Sequence, residues 1–252
     1  MDRAAILEKC LDFRKQRRFD LAFAHIQEAV KAGHSDLKVL AWQHSPIFWS
    51  DISAGICMLT RRCAEDADFL REIWKDTDFV YDFHRHSASL PESSLELQRI
   101  LNQEMSSIIS EAHAIHWIVR DSQRRPWGLL SLCEISLTNR RAEVLLGVLP
   151  GAPTGMAAAA MLILFQFYFH VMKFNKLVSI IYEDNAHSLE STIHLGFKTE
   201  GHLRDHTIDP RSGRFLDMIQ LGIFKEEAMQ PANQRLMERL LSSRKKPSAN
   251  RP

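Results

Sequence analysis

The chain lacks the features that mark metal-binding, secreted and membrane-spanning proteins. Its four cysteines never form a Cys-x-x-Cys pair, so neither a zinc ribbon nor a thioredoxin-like motif is expected. The N-terminal residues carry charges throughout and contain no apolar segment of the kind that a signal peptide needs. The longest apolar run, 156–172, is interrupted by Gln166 and His170, which favours a buried helix over a membrane span.

The chain also lacks an excess of either charge. With a net charge of +1 and 25% charged residues, no overall field attracts nucleic acid or an anionic membrane, and neither is expected as a partner. A hydrophobic content of 45% supports a well-formed core. Free cysteines without a disulfide framework suit a reducing compartment, so we expect a cytoplasmic protein.

Two helical patterns precede the main domain. Apolar residues recur at helical spacing over 3–16 and again over 20–32, where Gly33 is a stop signal. We therefore predict a helical hairpin extension over residues 1–52. Its second helix resembles part of a single tetratricopeptide-type repeat, a weak signal because such repeats normally stack on neighbours.

Two interpretations of this hairpin remain open. It packs on the main domain as a structural extension, or it contacts a substrate, a protein partner or a second copy of the chain. Arg14, Arg17 and Arg18 are expected on its exposed side, where they would face an acidic or phosphate-bearing acceptor.

The block from 55 to 227 mixes strands and helices in the order β-α-α-β-β-β-α-β-α-β-β. Short runs rich in β-branched and aromatic residues indicate the strands, and longer segments with apolar residues at helical spacing indicate the helices. This order excludes a helix bundle or a β-sandwich and predicts an α/β fold with a mixed (α+β) sheet. The strands are predicted at 55–61, 116–120, 127–135, 143–149, 177–182, 198–209 and 215–224, and the helices at 64–75, 92–111, 154–173 and 186–195. Residues 228–252 are predicted to form a C-terminal helix and a basic tail.

The junction at 149–158 has the features of a phosphate-binding loop. It consists of Leu-Pro-Gly-Ala-Pro-Thr-Gly-Met-Ala-Ala, so a strand runs through small residues into a helix. Backbone N–H groups at a helix start have no intrahelical partner, and the helix dipole is positive there. Small residues allow a pyrophosphate to approach those groups closely. An ordinary strand-to-helix turn is the alternative.

A second motif follows the strand predicted at 177–182. It combines Asn185-x-x-Ser188 with Leu195-Gly196-Phe197 and Glu200-Gly201, and it resembles the late motif of the GNAT superfamily of N-acetyltransferases. The continuation over 200–206 and the segment over 213–217 are similar to the Rim-type branch, which acetylates the N-termini of ribosomal proteins. Sugar-nucleotide and antibiotic amine acetyltransferases share much of the same pattern.

The resemblance implies a GNAT acyltransferase fold and a reaction in which an acetyl group passes from acetyl-CoA to a primary amine. The amine would attack directly in a ternary complex, without a metal. Such a reaction needs orientation of the two reactants, a base for the ammonium and an acid for the leaving thiolate. The implied cofactor-binding residues are Leu149, Thr154, Gly155, Met156, Ala157, Ala158, Asn185 and Ser188.

Two residues are the main candidates for proton transfer. Glu143 begins the strand before the cofactor loop, where related enzymes often place a base; a solvated carboxylate beside Arg140 and Arg141 is the alternative. Ser188 would protonate the thiolate; alternatively, it caps the helix or only contacts CoA. Glu134, on the neighbouring strand, is a second candidate for the base.

The chain departs from the family pattern in two places. The phosphate loop lacks the leading Gln or Arg that the family usually has, and Pro153 removes one backbone donor. The tyrosine that many GNAT enzymes use as the acid is replaced, since Thr192, Ile193 and His194 occupy that stretch. Three functions therefore stay open: acetylation of a protein N-terminus or small amine, acetylation of an amino-sugar nucleotide or metabolite, and a non-catalytic GNAT-like module that binds a partner.

Overall fold

The computed structural model describes residues 2–16, 18–106 and 108–242. The predicted α/β fold with N-terminal helices is confirmed, whereas Arg17 and the basic tail beyond Ser242 lie outside the described residues. The helices are α1 (Arg3–Lys15), α2 (Phe19–Lys31), α3 (Lys38–Gln43), α4 (Ala67–Lys75), α5 (Thr77–His84), α6 (Ser94–Ser106), α7 (Met156–Gln166), α8 (Ala186–His194), α9 (Lys225–Ala228) and α10 (Pro231–Leu241). The strands are β1 (Ile52–Ala54), β2 (Cys57–Arg61), β3 (Ile115–Asp121), β4 (Pro126–Ser136), β5 (Arg141–Val148), β6 (Lys176–Tyr182), β7 (Lys198–Ile208) and β8 (Phe215–Phe224).

The chain divides into two compact units that are each assembled from separate segments. The helical unit comprises Met1–Ser50, Arg61–Lys75 and Ser89–Ile115, and the sheet unit comprises Asp51–Thr60, Asp76–Ala88 and His116–Pro252. The predicted division into 1–52, 55–227 and 228–252 follows the order of the chain instead, and it stays a prediction.

In the helical unit, α1 and α2 pack on each other and bury one apolar cluster. Ile6 of α1 and Ile26 of α2 are both fully buried in it, as the spacing of apolar residues on the two helices predicts. Phe19 stacks on Trp49 with ring centroids 4.6 Å apart, which holds the start of α2 against the segment that follows α3.

Arg14 does not belong to an exposed basic surface, so that prediction is wrong. Its side chain is only 9% exposed, and it donates a hydrogen bond of 2.8 Å to Glu111. The residue lies on the apolar side of α1 because its long aliphatic stem packs there while the guanidinium finds a carboxylate. Arg18 is exposed, with a carboxylate oxygen of Asp20 at 3.7 Å.

The sheet unit is built on an eight-stranded sheet with the order β1-β2-β3-β4-β5-β6-β8-β7. β5 and β6 run parallel, whereas β4 pairs with β5, and β8 pairs with both β6 and β7, in antiparallel fashion. The parallel pair needs a crossover, and α7 provides it. α7 is buried over most of its surface, so the apolar run that it occupies covers the sheet. Within the described ranges, no helix combines the length and hydropathy that a membrane span requires.

Two helices differ from their predicted lengths. The segment predicted as one helix over 154–173 is α7 followed by a π-helical turn, Phe167–Val171. Apolar residues continue through this turn, and periodicity alone therefore hides the change. The helix predicted over 92–111 ends at Ser106.

Helix α5 was not predicted, although its start has a recognisable signal. The Asp76 carboxylate accepts the backbone N–H groups of Asp78 and Phe79 at 3.2 and 3.0 Å. This is the usual way in which an aspartate caps a helix. The helix has only eight residues, so its periodic pattern is short and easily overlooked.

Candidate active site

Strands β5 and β6 are paired only at their beginnings. Their parallel pairing ends where Glu143 lies opposite Val178. Beyond that point β5 stays paired with β4 as far as Val148, and β6 stays paired with β8 as far as Tyr182. The two strands therefore diverge and leave a cleft, the β5–β6 cleft, between two facing backbone edges. An extended ligand with amide groups can pair with such an edge as an added strand does.

The start of α7 lies just beyond the end of β5 and presents free backbone donors. Among the described residues, no hydrogen-bond acceptor is found for the backbone N–H groups of Thr154, Gly155, Ala157 and Ala158. Thr154 and Ala157 are exposed and Gly155 and Ala158 are half-buried, so this turn lies at the surface. Together with the positive end of the helix dipole, these donors form a site suited to a phosphate group.

Gly155 is required by the backbone at this turn. It precedes α7 in the left-handed conformation, with φ of 85°, which residues with a side chain rarely adopt. A Cβ there would also lie 3.1 Å from a methyl group of Leu240. Pro153, which removes one donor, accepts the Met156 N–H at 3.0 Å and closes the turn.

Glu143 lies at the point where the two strands diverge. Its side chain is half-buried, on the face of the sheet opposite to its buried neighbours on β5. Burial raises its pKa to about 7, and the charge of Glu134 adds to the rise, against a hydrogen bond from Ile180 and the charge of Arg141. This environment differs from that of a solvated strand end. A carboxylate with such a pKa is matched to proton transfer near neutral pH.

Glu134 lies in a β-bulge next to this point. The register of β4 against β5 shifts between Cys133 and Ser136, and Glu134 itself has a left-handed backbone with φ of 49°. Bulges redirect side chains and are frequent beside active sites. The Glu134 carboxylate is exposed, and its charge contributes to the raised pKa of Glu143.

Helix α5 crosses the β5–β6 cleft on the face that carries Glu143. Gly147 of β5 shares that face with Glu143, and a Cβ added at Gly147 would lie 2.8 Å from the rings of two α5 phenylalanines. At the other end of α5, the Arg85 N–H donates a hydrogen bond of 3.2 Å to the Tyr182 hydroxyl at the end of β6. α5 therefore bridges the two diverging strands and forms a wall beside Glu143.

Asn185 and Ser188 lie at the start of α8, after the end of β6. The Asn185 side chain accepts the Ser188 backbone N–H at 3.1 Å, so Asn185, and not Ser188, caps this helix. The Ser188 side chain is half-buried, and its hydroxyl has no hydrogen-bond partner within the described part of the chain. Asn185 thus has a structural role in the folded chain, while the hydroxyl of Ser188 is available for a ligand.

The structure brings one further residue to the site that sequence reasoning missed. Tyr182 lies on the same face as Glu143, and burial raises the pKa of its phenol. A tyrosine that ends an apolar strand looks like a core residue in the sequence. The stretch in which the family usually has its tyrosine is occupied here by Thr192, Ile193 and His194 on α8, of which Thr192 is half-buried.

A family model described as the acetyltransferase (GNAT) domain matches residues 58–198, which is more than half of the chain and contains the cleft, the start of α7 and α8. The chain belongs to the GNAT acetyltransferase family. It is therefore an acetyl-CoA-dependent N-acetyltransferase, and the predicted co-substrate is confirmed. No curated protein matches the chain by sequence.

Solved structures agree with this fold. Spermidine N-acetyltransferase from Vibrio cholerae, determined with CoA and spermine, has a TM-score of 0.59 at 20% identity, over 69% of this chain and 98% of its own. A dodecameric structure of spermidine N-acetyltransferase from Vibrio cholerae has a TM-score of 0.56 at 20% identity, over 69% and 96% of the two chains. At this level of identity the likeness establishes the GNAT fold, and the resemblance to the Rim-type branch stays a prediction.

Proposed function

We propose that this GNAT enzyme acetylates a primary amine. The amine attacks acetyl-CoA directly, while acetyl-CoA is bound in the β5–β6 cleft. The observation that carries the proposal is the position of Glu143, whose half-buried carboxylate lies where β5 and β6 diverge. The open start of α7 lies at the far end of β5 from this carboxylate. One extended cofactor molecule can therefore place its thioester near Glu143 and its pyrophosphate at the start of α7.

The cofactor would lie along the edge of β5 with its pyrophosphate at the start of α7. Thr154, Gly155, Ala157 and Ala158 would donate backbone N–H groups to the phosphate oxygens. Leu149 and Met156 would contact the cofactor without donating hydrogen bonds to it, since their N–H groups already donate to the carbonyl oxygens of Trp127 and Pro153. On the opposite side of the cleft, Asn185 would hold α8 in place.

The proton transfers would involve Glu143 and Ser188. Glu143 would take the proton of the ammonium, directly or through water, and the amine would then attack the thioester carbonyl carbon. Collapse of the tetrahedral adduct breaks the carbon–sulfur bond. The Ser188 hydroxyl would donate a proton to the thiolate and regain one, directly or through water, from the adduct nitrogen, which becomes the neutral amide. Positioning of the two reactants supplies most of the remaining acceleration.

The acceptor would be a cation that approaches along the wall formed by α5. Glu134 and Glu143 place two carboxylates on this approach, which favours an ammonium over an anion. Spermidine is the substrate named for the Vibrio cholerae enzyme, whereas the segment over 200–206 resembles enzymes that modify protein N-termini. An amino-sugar nucleotide or another amine metabolite is the third class. A cytoplasmic location remains expected.

A panel of three amines tests the proposal. Spermidine, a short peptide with a free N-terminus and glucosamine are each incubated with acetyl-CoA, and release of CoA is followed, with acetyl-CoA binding measured separately by calorimetry. We expect binding, and turnover of at least one amine. Binding without turnover of any of them would contradict this acceptor class, and absence of binding would favour the non-catalytic module.

A further inference from the structure

Arg85 occupies an unusual position at the end of α5. Its guanidinium carbon lies 3.9 Å from the ring centroid of Tyr81 and 4.1 Å from that of Tyr182. Its two terminal nitrogens donate to the two carboxylate oxygens of Asp184 at 3.0 and 2.5 Å. We call these four residues, Tyr81, Arg85, Tyr182 and Asp184, the Arg85 clamp. They combine a bidentate ion pair with stacking on two aromatic rings, a geometry that arginine can adopt and lysine cannot.

The clamp joins the segments that surround the open part of the β5–β6 cleft. Tyr81 and Arg85 belong to the wall beside Glu143, and Tyr182 ends the strand on the other side of the cleft. Asp184 immediately precedes Asn185, the cap of α8. One side chain therefore connects the proposed acceptor wall with the loop that begins α8.

A second set of contacts fastens the same wall to the turn between β7 and β8. The Tyr81 hydroxyl donates a hydrogen bond of 3.0 Å to Asp209. Arg211 lies 3.8 Å from the centroid of the Tyr81 ring and bonds to Asp78 at 2.7 Å. Since two guanidinium groups cannot share one face of a ring at this distance, Tyr81 lies between Arg85 and Arg211.

The burial of Arg85 is not explained by stability alone. Its side chain is 1% exposed, whereas that of Asp184 is 44% exposed. Its Nε–H is buried and has no hydrogen-bond partner among the described residues. Removing a guanidinium from water is costly, and an exposed carboxylate compensates for that cost only in part. Such an arrangement is expected where the exact placement of neighbouring groups matters more than stability.

We propose that Arg85 is a positioning residue for the acceptor amine. It holds the α5 wall at a fixed distance from Glu143, so that the bound amine lies against the carboxylate that takes its proton. This role rests on the proposed acetylation of an amine in the β5–β6 cleft. It predicts that loss of the clamp impairs use of the amine and leaves acetyl-CoA binding intact, because no hydrogen bond or ring contact of the clamp in the described part of the chain involves the start of α7.

The test compares three variants in the full-length chain with the amine of the panel that the wild-type enzyme uses best. Arg85→Lys keeps the charge but loses the bidentate pair and the stacking. Asp184→Asn weakens the pair from its exposed end, because it removes the negative charge opposite Arg85. We expect kcat/KM for the amine to fall roughly tenfold or more in both, with the dissociation constant of acetyl-CoA changed by less than about twofold. Arg125→Lys, which alters an arginine–aspartate pair with Asp121 and a guanidinium 5.7 Å from the Trp127 ring centroid, should change kcat/KM by less than about twofold.

The double variant Arg85→Lys/Asp184→Asn gives a further readout. Because both variants break the same interaction, the double variant should lose little more than either single one. Unchanged kcat/KM in both single variants would overturn the proposal, as would an equal loss of acetyl-CoA affinity, which indicates a general structural defect. If the wild-type enzyme binds acetyl-CoA but acetylates no amine of the panel, the proposed function is contradicted. Amide hydrogen exchange then tests the clamp separately. Unchanged exchange over residues 81–86 in Arg85→Lys would show that Arg85 does not hold the α5 wall, and would overturn the proposal.

Discussion

At the scale of single residues, two carboxylates beside the β5–β6 cleft differ in their surroundings. Glu143 is half-buried and Glu134 is exposed. Burial, and then the charge of Glu134, raise the pKa of Glu143 to about 7. Because Glu143 accepts a proton only when it is ionised, the proposed mechanism predicts a rate that rises as the pH increases through about 7 and then levels off.

Removal of the Glu143 carboxylate should abolish this pH dependence. Glu143→Gln keeps the shape of the side chain but cannot accept a proton, so we expect kcat to fall about 10²-fold with little change in acetyl-CoA affinity. Steady-state kinetics across the pH range, together with calorimetry, measure both effects. Full activity with an unaltered pH profile would remove Glu143 from the mechanism.

Glu134→Gln should affect the same pH profile in a different way. Loss of a neighbouring negative charge makes ionisation of Glu143 easier, so its pKa falls and the rising limb of the profile moves to lower pH. The matched control is Glu96→Gln, which removes an exposed carboxylate from α6 in the helical unit and should leave the profile in place. A large loss of kcat in Glu134→Gln, without a shift of the limb, would identify Glu134 as the base instead.

At the scale of elements, the starts of α7 and α8 differ in whether their backbone N–H groups are free for a ligand. α7 leaves its first N–H groups free for a ligand, whereas α8 satisfies one of its own with Asn185. α7 is preceded by a glycine in a conformation that a side chain would strain, while α8 is preceded by a capping side chain. The first arrangement suits anion binding, and the second stabilises the helix.

Gly155→Ala should therefore weaken acetyl-CoA binding. The new Cβ strains a backbone with φ of 85° and lies 3.1 Å from Leu240, so the free N–H groups of the turn are displaced. We expect about a tenfold loss of affinity by calorimetry, equivalent to about 1.4 kcal/mol. Gly33→Ala is the control, since it also has a positive φ, 111°, but belongs to the helical unit. Equal affinities in the two variants would show that the phosphate site lies elsewhere.

At the scale of the whole molecule, the question is what the N-terminal helices contribute. They share a buried cluster and bury Arg14 against Glu111, so they form an integral part of the helical unit. Arg14 is therefore not part of a basic surface for an acidic acceptor, whereas Arg18 is exposed. Recognition of the acceptor, of a protein partner or of a second copy stays a proposal for this segment.

A chain that starts at Ser53 tests that proposal. We expect it to keep its acetyl-CoA affinity, because the phosphate site belongs to the sheet unit, and to lose turnover of the amine. Calorimetry, CoA release and circular dichroism measure binding, activity and folding. The full-length Arg18→Ala variant serves as the control for a single exposed charge. Undiminished turnover would contradict the recognition role, and a truncated chain that fails to fold would show that the helices are structural.

The sequence by itself determined the mixed α/β fold, the α7 start and the Asn185-x-x-Ser188 segment, because each depends on residues that are neighbours along the chain. Periodicity and small residues at a helix start are local signals. The resemblance to the GNAT superfamily led to Glu143 as well, through its place ahead of the cofactor loop.

Only the tertiary structure decided the surroundings of these residues. The raised pKa of Glu143, the burial of Arg14 and the Arg85 clamp each depend on groups that are distant in sequence: Arg85 and Asp184, for example, are 99 positions apart. No local pattern specifies where β5 and β6 part, since strand pairing is set by the packing of the whole sheet. The elements of the fold follow from local spacing, whereas the chemistry of the site follows from contacts that form only when the chain is folded.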